Sequence, residues 1–347
     1  MARVVLVTGV SRALGGRFTR RLTDDPDIDT VIGVDVVPPR HDLGRAQFVR
    51  ADIRNAVIAK VIASRDVDTV VHMNVIATPV GAGGRTTMKE INVIGTMQLL
   101  AACQAAPGVR KLVVKSSAAV YGSSPKDPAM FTEDTEPREL PRSGFAKDSV
   151  EVEGYVRGFA RRRPDVVVTQ LRFANILGPR LATPLAAYFD LPVLPVPLGF
   201  DARLQFVHER DALEALRLAT VEDHAGTYNV AGDGVLLLSQ AARRAGRPVL
   251  RVPTSLGGWV GSTLRRSGIA DFSPEQMRFL SFGRVLDCTR MRPELGLDPT
   301  YTTAATFEDF LRGPGSDRQP GVLAAARIRA AEDRLAALLV PGQASGG

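Results

Sequence analysis

Thr8-Gly9-Val10-Ser11-Arg12-Ala13-Leu14-Gly15 joins an apolar run, Val4–Val7, to a helical pattern. A tight turn from strand into helix aims backbone N–H groups and a positive helix end at one point, and the anion suited to that point is a pyrophosphate. Gly9 supplies the turn, and Gly15 lets the helix approach the strand closely. Arg12 stands where a Gly-x-x-Gly-x-x-Gly loop would carry its middle glycine, and Ser11 and Leu14 complete the cofactor-facing set. The second strand pattern ends in Val34-Asp35. A carboxylate there accepts both hydroxyls of an adenosine ribose and repels a 2′-phosphate, which favours NAD. The Arg12 guanidinium pulls the other way, towards NADP. Asp35 is the stronger influence, because its charge lies where the phosphate would go. Asp52-Ile53, after the third strand pattern, offers adenine one polar and one apolar contact.

These residues need a scaffold that repeats strand, turn and helix. Strand-like runs fall at Val4–Val7, Thr30–Val34, Ala46–Arg50, Thr69–His72, Lys111–Lys115 and Val166–Arg172. Helical patterns lie between them, at Leu14–Thr23, Asn55–Ser64, Met88–Ala106 and Ala146–Arg162. The strands are near-continuous apolar runs, as in a parallel sheet covered on both faces. The alternation predicts an α/β fold, a Rossmann-type doubly wound parallel sheet. It occupies residues 1–178, with a smaller C-terminal α/β substrate region at 179–312 and some chain crossing between the two. Pro184, Pro192, Pro195 and Pro197 keep 182–202 from forming a long helix. Short strands are expected at Leu204–His208 and Thr227–Val230, with a helix after Asp211. Residues 313–321 read as a linker, Val322–Leu339 as a docking or dimer helix, and the last six residues as a disordered tail.

The bulk composition excludes several classes. Of 347 residues, 45% are hydrophobic and 23% charged, and no apolar run is long enough for a transmembrane helix. The chain enters its first strand pattern without the basic leader, apolar stretch and cleavage site of a secretory signal. Cys103 and Cys288 have neither metal-ligand spacing nor a disulfide framework, which suits a reducing cytoplasm and predicts no metal. The net charge of +7 comes from scattered arginines, and aromatics are only 6%, too few for a base-stacking platform. A small-molecule partner is expected rather than nucleic acid.

Further segments carry a family resemblance. They are Val70-Val71-His72, Asn92-Val93-Ile94-Gly95-Thr96, Ser116-Ser117-Ala118-Ala119-Val120-Tyr121-Gly122, and Leu171-Arg172-Phe173-Ala174-Asn175-Ile176-Leu177-Gly178-Pro179. Phe206-Val207-His208 with Asp211, Gly226–Val230, and Asp287 with Arg290 and Glu294-Leu295-Gly296 follow in order. From Val4 to about Thr300 the chain resembles the extended short-chain dehydrogenases/reductases, in particular the sugar-nucleotide epimerases and dehydratases such as UDP-glucose 4-epimerase. The resemblance implies a bound NAD, a nucleotide-sugar substrate and a homodimer built on the helices at Met88–Ala106 and Ala146–Arg162. It implies that Asn92 braces the helix behind the active site and that Ser117 hydrogen-bonds a substrate hydroxyl. It further implies that Met73, Asn74 and Val75 line the path to the nicotinamide, that Lys115 borders the cofactor, and that Asn175 touches the substrate's phosphates.

The pattern breaks at the acid/base. Such enzymes place a Tyr and a Lys four residues apart on one helical face, where the ammonium lowers the phenol pKa. Here Phe145 stands at the Tyr position and Ser149 at the Lys position. A second register puts Ser143 and Lys147 there and recovers no tyrosine either. Tyr121 and Lys115 are candidate substitutes; Tyr155 is expected to be structural. Leu204 stands where the epimerases carry an Arg for the diphosphate, and neighbouring Arg203 would point to the opposite face. Two readings stay open: an NAD-dependent enzyme with a displaced acid/base, and a non-catalytic NAD(P)-binding sensor, scaffold or partner subunit.

Overall fold

The computed structural model describes residues 3–73, 76–77, 83–253 and 274–313. The first half alternates β1 (Val4–Thr8), α1 (Ala13–Leu22), β2 (Thr30–Asp35), β3 (Gln47–Arg50), α2 (Val57–Ser64) and β4 (Thr69–His72). Then come α3 (Arg85–Lys89), a π-helical turn (Glu90–Ile94) and α4 (Gly95–Ala105). β5 (Lys111–Ser117), a 3-10 turn (Ala118–Tyr121), α5 (Gly144–Arg162) and β6 (Val167–Phe173) follow. One helix was expected over Met88–Ala106. The π turn interrupts it at Asn92, a wide turn of a kind often found at functional positions.

The second half contains β7 (Asn175–Leu177), α6 (Pro184–Phe189), β8 (Leu194–Pro197), β9 (Arg203–Leu204), β10 (Phe206–His208), α7 (Glu209–Val221) and β11 (Gly226–Val230). It ends with β12 (Leu236–Leu237), α8 (Leu238–Arg244), β13 (Val249–Val252), α9 (Pro274–Phe282), α10 (Met291–Leu295) and α11 (Thr303–Leu311). The strand expected over Leu204–His208 is broken at Gln205. Leu204 pairs antiparallel with Leu236, whereas Phe206 pairs parallel with Asn175. The proline-rich stretch holds a six-residue helix, with Pro184 in its first turn and Thr183 as its cap, and the β8 strand, whose one strand partner among the described residues is β13. A strand with a free edge tolerates prolines because nothing there needs their missing N–H.

Seven parallel strands form one sheet in the order β3-β2-β1-β4-β5-β6-β11. β11 lies late in the chain yet extends this sheet through β6, and the α7 residues Ala212, Ala215 and Leu216 pack on the same face as Phe18 of α1. The opposite face is covered by α2, α4 and α5, through Ile58, Leu99, Val152 and Phe159. Both faces of the sheet's centre are therefore dry, which is why β1, β2 and β4 read as near-continuous apolar runs rather than alternating ones. A separate core around Phe189, Phe206 and Phe307 holds the C-terminal region. The chain winds outwards from β1 in one direction and from β4 in the other. The strand order thus reverses between them, and a crevice forms beyond their C-terminal ends.

The linker and the segments at Val322–Leu339 and the C-terminus lie outside the described residues, apart from Gly313. Among the described residues no helix is long and apolar enough to cross a membrane, and no cluster of metal-ligating side chains is present.

Candidate active site

The glycine turn sits at that crevice. Gly9 takes a positive φ of 80° and donates its N–H to Val34 O at 3.0 Å, tying the turn to β2. A Cβ on Gly15 would lie 2.2 Å from Gly9 O, so only glycine fits there. Asp35 Oδ2 accepts from Ser11 N at 3.0 Å and from Ser11 Oγ at 2.6 Å, and Oδ1 accepts from Val36 N. The carboxylate is thus fixed against the loop at the end of β2. Arg12 forms the N-cap of α1 and makes no side-chain hydrogen bond or ion pair among the described residues. Burial lowers its pKa, and the nearby Asp35 charge acts against that. Leu14 is buried beneath the loop. Ile53 is also buried and packs so closely on Gly95 that a Cβ there would approach its side chain to 2.9 Å. Asp52 is clamped by Arg54 at 2.6 Å, and this hydrogen bond holds its pKa below the ordinary carboxylate value.

A second group closes the ends of β4 and β5. Met73 N–H donates to Thr8 Oγ1 at 3.1 Å, so that hydroxyl turns its own proton to His72 Nδ1 at 2.9 Å. His72 Nε2 then carries the ring hydrogen and donates to Thr96 Oγ1 at 2.8 Å. Thr96 in turn donates to Asn92 O at 2.5 Å. The ring is neutral, with burial pushing its pKa down to about 4 and the Lys115 charge adding to the shift. Asn92 accepts from Ile76 N at 2.7 Å and donates to Ile76 O and to Asp148 Oδ2. It therefore fastens the strap after β4 to α5. Arg85 completes the brace with two bonds to Asp148, at 2.7 and 2.6 Å. Asn74 and Val75 lie outside the described residues.

Lys115 and Ser117 lie two residues apart at the end of β5, so they share a face of the strand. Ser117 caps the following 3-10 turn by accepting from Ala119 N at 3.2 Å, which leaves its hydroxyl proton free to donate. Lys115 is half-buried and makes no hydrogen bond or ion pair among the described residues. Burial, with the Arg12 charge adding to it, brings its pKa down to about 8. Ser116 faces the other way and donates to Glu153 Oε1 at 2.6 Å.

α5 brings no acid or base towards Ser117 at the two positions singled out. Phe145 lies in its first turn, and Ser149 donates its hydroxyl to Phe145 O at 2.9 Å. Lys147 faces Glu151 across a 3.9 Å gap on the outer side of the helix. Tyr121 is buried and fully engaged: it donates to Asn229 Oδ1 at 2.8 Å and accepts from Arg172 Nη1 at 2.8 Å. Burial pushes its phenol up to about 12. Arg172 is itself held by Glu153 at 2.7 Å. Tyr155 is exposed on α5. From α9, Glu275 sits at the N-terminus of α5 and accepts from Ser143 Oγ at 3.2 Å, with burial raising its pKa.

Asn175 lies on β7, in register with Phe206 of β10. Leu204 is wholly buried in the C-terminal core, while Arg203 is exposed. The Arg85–Asp148 pair, Glu275, and the contacts that tie Tyr121 to Arg172 and Glu153 were not read from the sequence. Their partners are separated by 63, 132 and 19 to 51 positions, and no local spacing announces such contacts.

A sheet of this winding, with a glycine turn and an acidic residue closing its second strand, defines a dinucleotide-binding α/β protein. The residues fit that ligand: there is a close-packed cradle that a Cβ would fill, and two cations, Arg12 and Lys115, that make no ion pair among the described residues. Residues 5–231 match the NAD dependent epimerase/dehydratase family, and the chain belongs to it. An uncharacterized protein of Mycobacterium tuberculosis is 52% identical over 318 residues, spanning 90% of this chain and 84% of its own. UDP-glucose 4-epimerase of Mycolicibacterium smegmatis is 29% identical over 319 residues, 86% of this chain and 94% of its own. The dTDP-glucose 4,6-dehydratase DesIV of Streptomyces venezuelae, solved with NAD bound, superposes with a TM-score of 0.69. It is 25% identical and is matched over 92% of this chain and 98% of its own.

Proposed function

We propose that this protein binds NAD across the C-terminal edge of its sheet and a nucleotide-sugar ligand beside Ser117, without the Tyr–Lys proton relay of related epimerases. One observation carries the reading: the Ser149 hydroxyl is spent on Phe145 O, so α5 offers Ser117 no ionisable group at either position. The Asp35 charge favours NAD over NADP. Gly9, Ser11, Arg12, Leu14 and Gly15 would hold the pyrophosphate, Asp52 and Ile53 the adenine, and Met73 and Lys115 the nicotinamide half, whereas Asn92, fully buried and bonded to Ile76 and Asp148, would act only by bracing the strap behind them. A bound nicotinamide would supply hydride acceptance or return. Ser117 would orient a ligand hydroxyl, and Asn175 would meet its phosphates. Loss of a positioned acid/base lowers turnover by roughly 10²–10⁴. Binding rather than rapid turnover is then the function.

A second reading has its own support. Lys115, with a pKa brought down to about 8, has a neutral amine near and above that pH, and this form would take a proton in place of the absent phenol. The two separate in one experiment, in which purified protein is loaded with NAD and offered UDP- and dTDP-sugars. The binding reading expects sugar and NAD uptake by calorimetry with no interconversion. It expects Phe145→Tyr with Ser149→Lys to leave NAD affinity largely unchanged. Fast interconversion by the wild type supports the second reading and removes the first.

A homodimer and a cytoplasmic location belong to the same proposal. The exposed Ile94, Met97 and Tyr155 on the two outer helices support the dimer, and light scattering tests it.

A further inference from the structure

We propose, resting on the reading that NAD lies across the sheet edge, that Lys115 makes this site prefer the reduced dinucleotide to the oxidised one. The strand order reverses between β1 and β4. A dinucleotide crossing that point puts its adenosine half over β1–β3 and its nicotinamide half over β4 and β5. Asp35 ends β2 on the first side. Lys115 stands on the second, two residues and about 6.6 Å along β5 from Ser117.

Among the described residues no acidic group pairs with Lys115. The Arg12 charge at the N-cap of α1 acts on Lys115, and Lys115 in turn acts on His72 of β4, which burial keeps neutral. Across on β6 its register partner is Leu171, which carries no charge. Asp35 interacts with Arg12 and is held by Ser11. A nicotinamide ring arriving here therefore meets a net positive environment.

NAD+ and NADH differ by the charge of that ring and share the same pyrophosphate. Whatever attraction Arg12 and Lys115 exert on the phosphates cancels in the ratio of the two affinities, and the repulsion of the oxidised ring remains. Two unit charges about 10 Å apart, at an effective dielectric of about 20, repel enough to shift a dissociation constant about tenfold. Because Lys115 titrates near pH 8, it is charged at pH 7 and largely neutral at pH 9. The preference is therefore present below that value and is lost as the pH rises through it. His72 titrates far below this window.

Calorimetric titration of the full chain with NAD+ and with NADH, at pH 7 and pH 9, tests the proposal. The wild type should bind NADH about tenfold more tightly at pH 7 and lose most of that margin at pH 9. Lys115→Met should abolish the margin at both pH values. Lys115→Arg should keep it at both, because a guanidinium does not deprotonate in this range. Arg12→Gln should weaken both forms and leave their ratio at pH 7 unchanged. Equal affinities in the wild type at pH 7, or a margin that survives Lys115→Met, would overturn the role of Lys115. If Lys115→Met does not fold by circular dichroism, the Lys115→Arg and pH arms decide alone. If the wild type binds neither form, it is the NAD-binding reading that fails.

Discussion

Ser149 Oγ lies 2.9 Å from the carbonyl oxygen of Phe145, one helical turn back. A serine bonded this way serves its own helix and projects nothing into the crevice. Ser149→Ala exchanges one such bond for the better helix propensity of alanine, so the two effects nearly cancel. The expected change in unfolding free energy is below about 1 kcal/mol, with no change in NAD affinity. Urea melts and calorimetry check both. A large loss of affinity would mean that the Ser149 hydroxyl faces the ligand.

The fold was legible because its signal is local. Apolar runs of four to seven residues separated by amphipathic helices place β1 to β6 within one or two residues of the expected bounds. The cradle was legible for the same reason, since Gly9, Gly15 and Asp35 belong to one strand–turn–helix–strand unit. What the sequence hid are contacts across layers. Nothing near Asp148 announces that Arg85 and Asn92 would meet it, and nothing near His72 announces that Thr8 and Thr96 would fix its tautomer. The break at Gln205 was hidden as well, because an apolar run cannot say that its two halves pair with different strands.

Acid should loosen the β4 end first. His72 is buried and neutral, with a pKa of about 4 against an unfolded value near 6.5. The unfolded chain binds the proton more readily, so this stabilisation is complete above about pH 6.5 and is lost as the pH falls towards 4. At the limit that amounts to about 3 kcal/mol. Denaturant midpoints measured from pH 7 to pH 4 should fall in the wild type. His72→Gln should flatten that slope, and an unchanged slope in that variant would assign the loss to other groups.

Asp148 has no exposed surface, and its carboxylate is held by Arg85 and Asn92. Arg85→Ala leaves a buried carboxylate with one amide donor, a loss on the order of 3 kcal/mol before allowing for the partly exposed guanidinium. Asp148→Asn removes the charge while keeping the shape, and should cost less. The double variant should be more stable than Arg85→Ala alone, because its buried group is neutral. A double-mutant cycle by urea unfolding gives the sign directly, and strict additivity would show that the pair is not coupled.

Gly15→Ala tests the cradle itself. Its Cβ would fall 2.2 Å from Gly9 O, a backbone atom that no rotamer change can move. The helix must shift away from β1 by the better part of an ångström, and the N–H groups of the turn move with it. Affinity for a pyrophosphate depends on several such donors converging. The variant should therefore lose at least about tenfold in NAD affinity while keeping its far-ultraviolet circular dichroism, since most of the sheet and its two covering layers are untouched. The same variant should bind adenosine, which carries no phosphate, almost as the wild type does. Equal losses for NAD and adenosine would place the damage in the packing of α1 on the sheet rather than in the phosphate cradle.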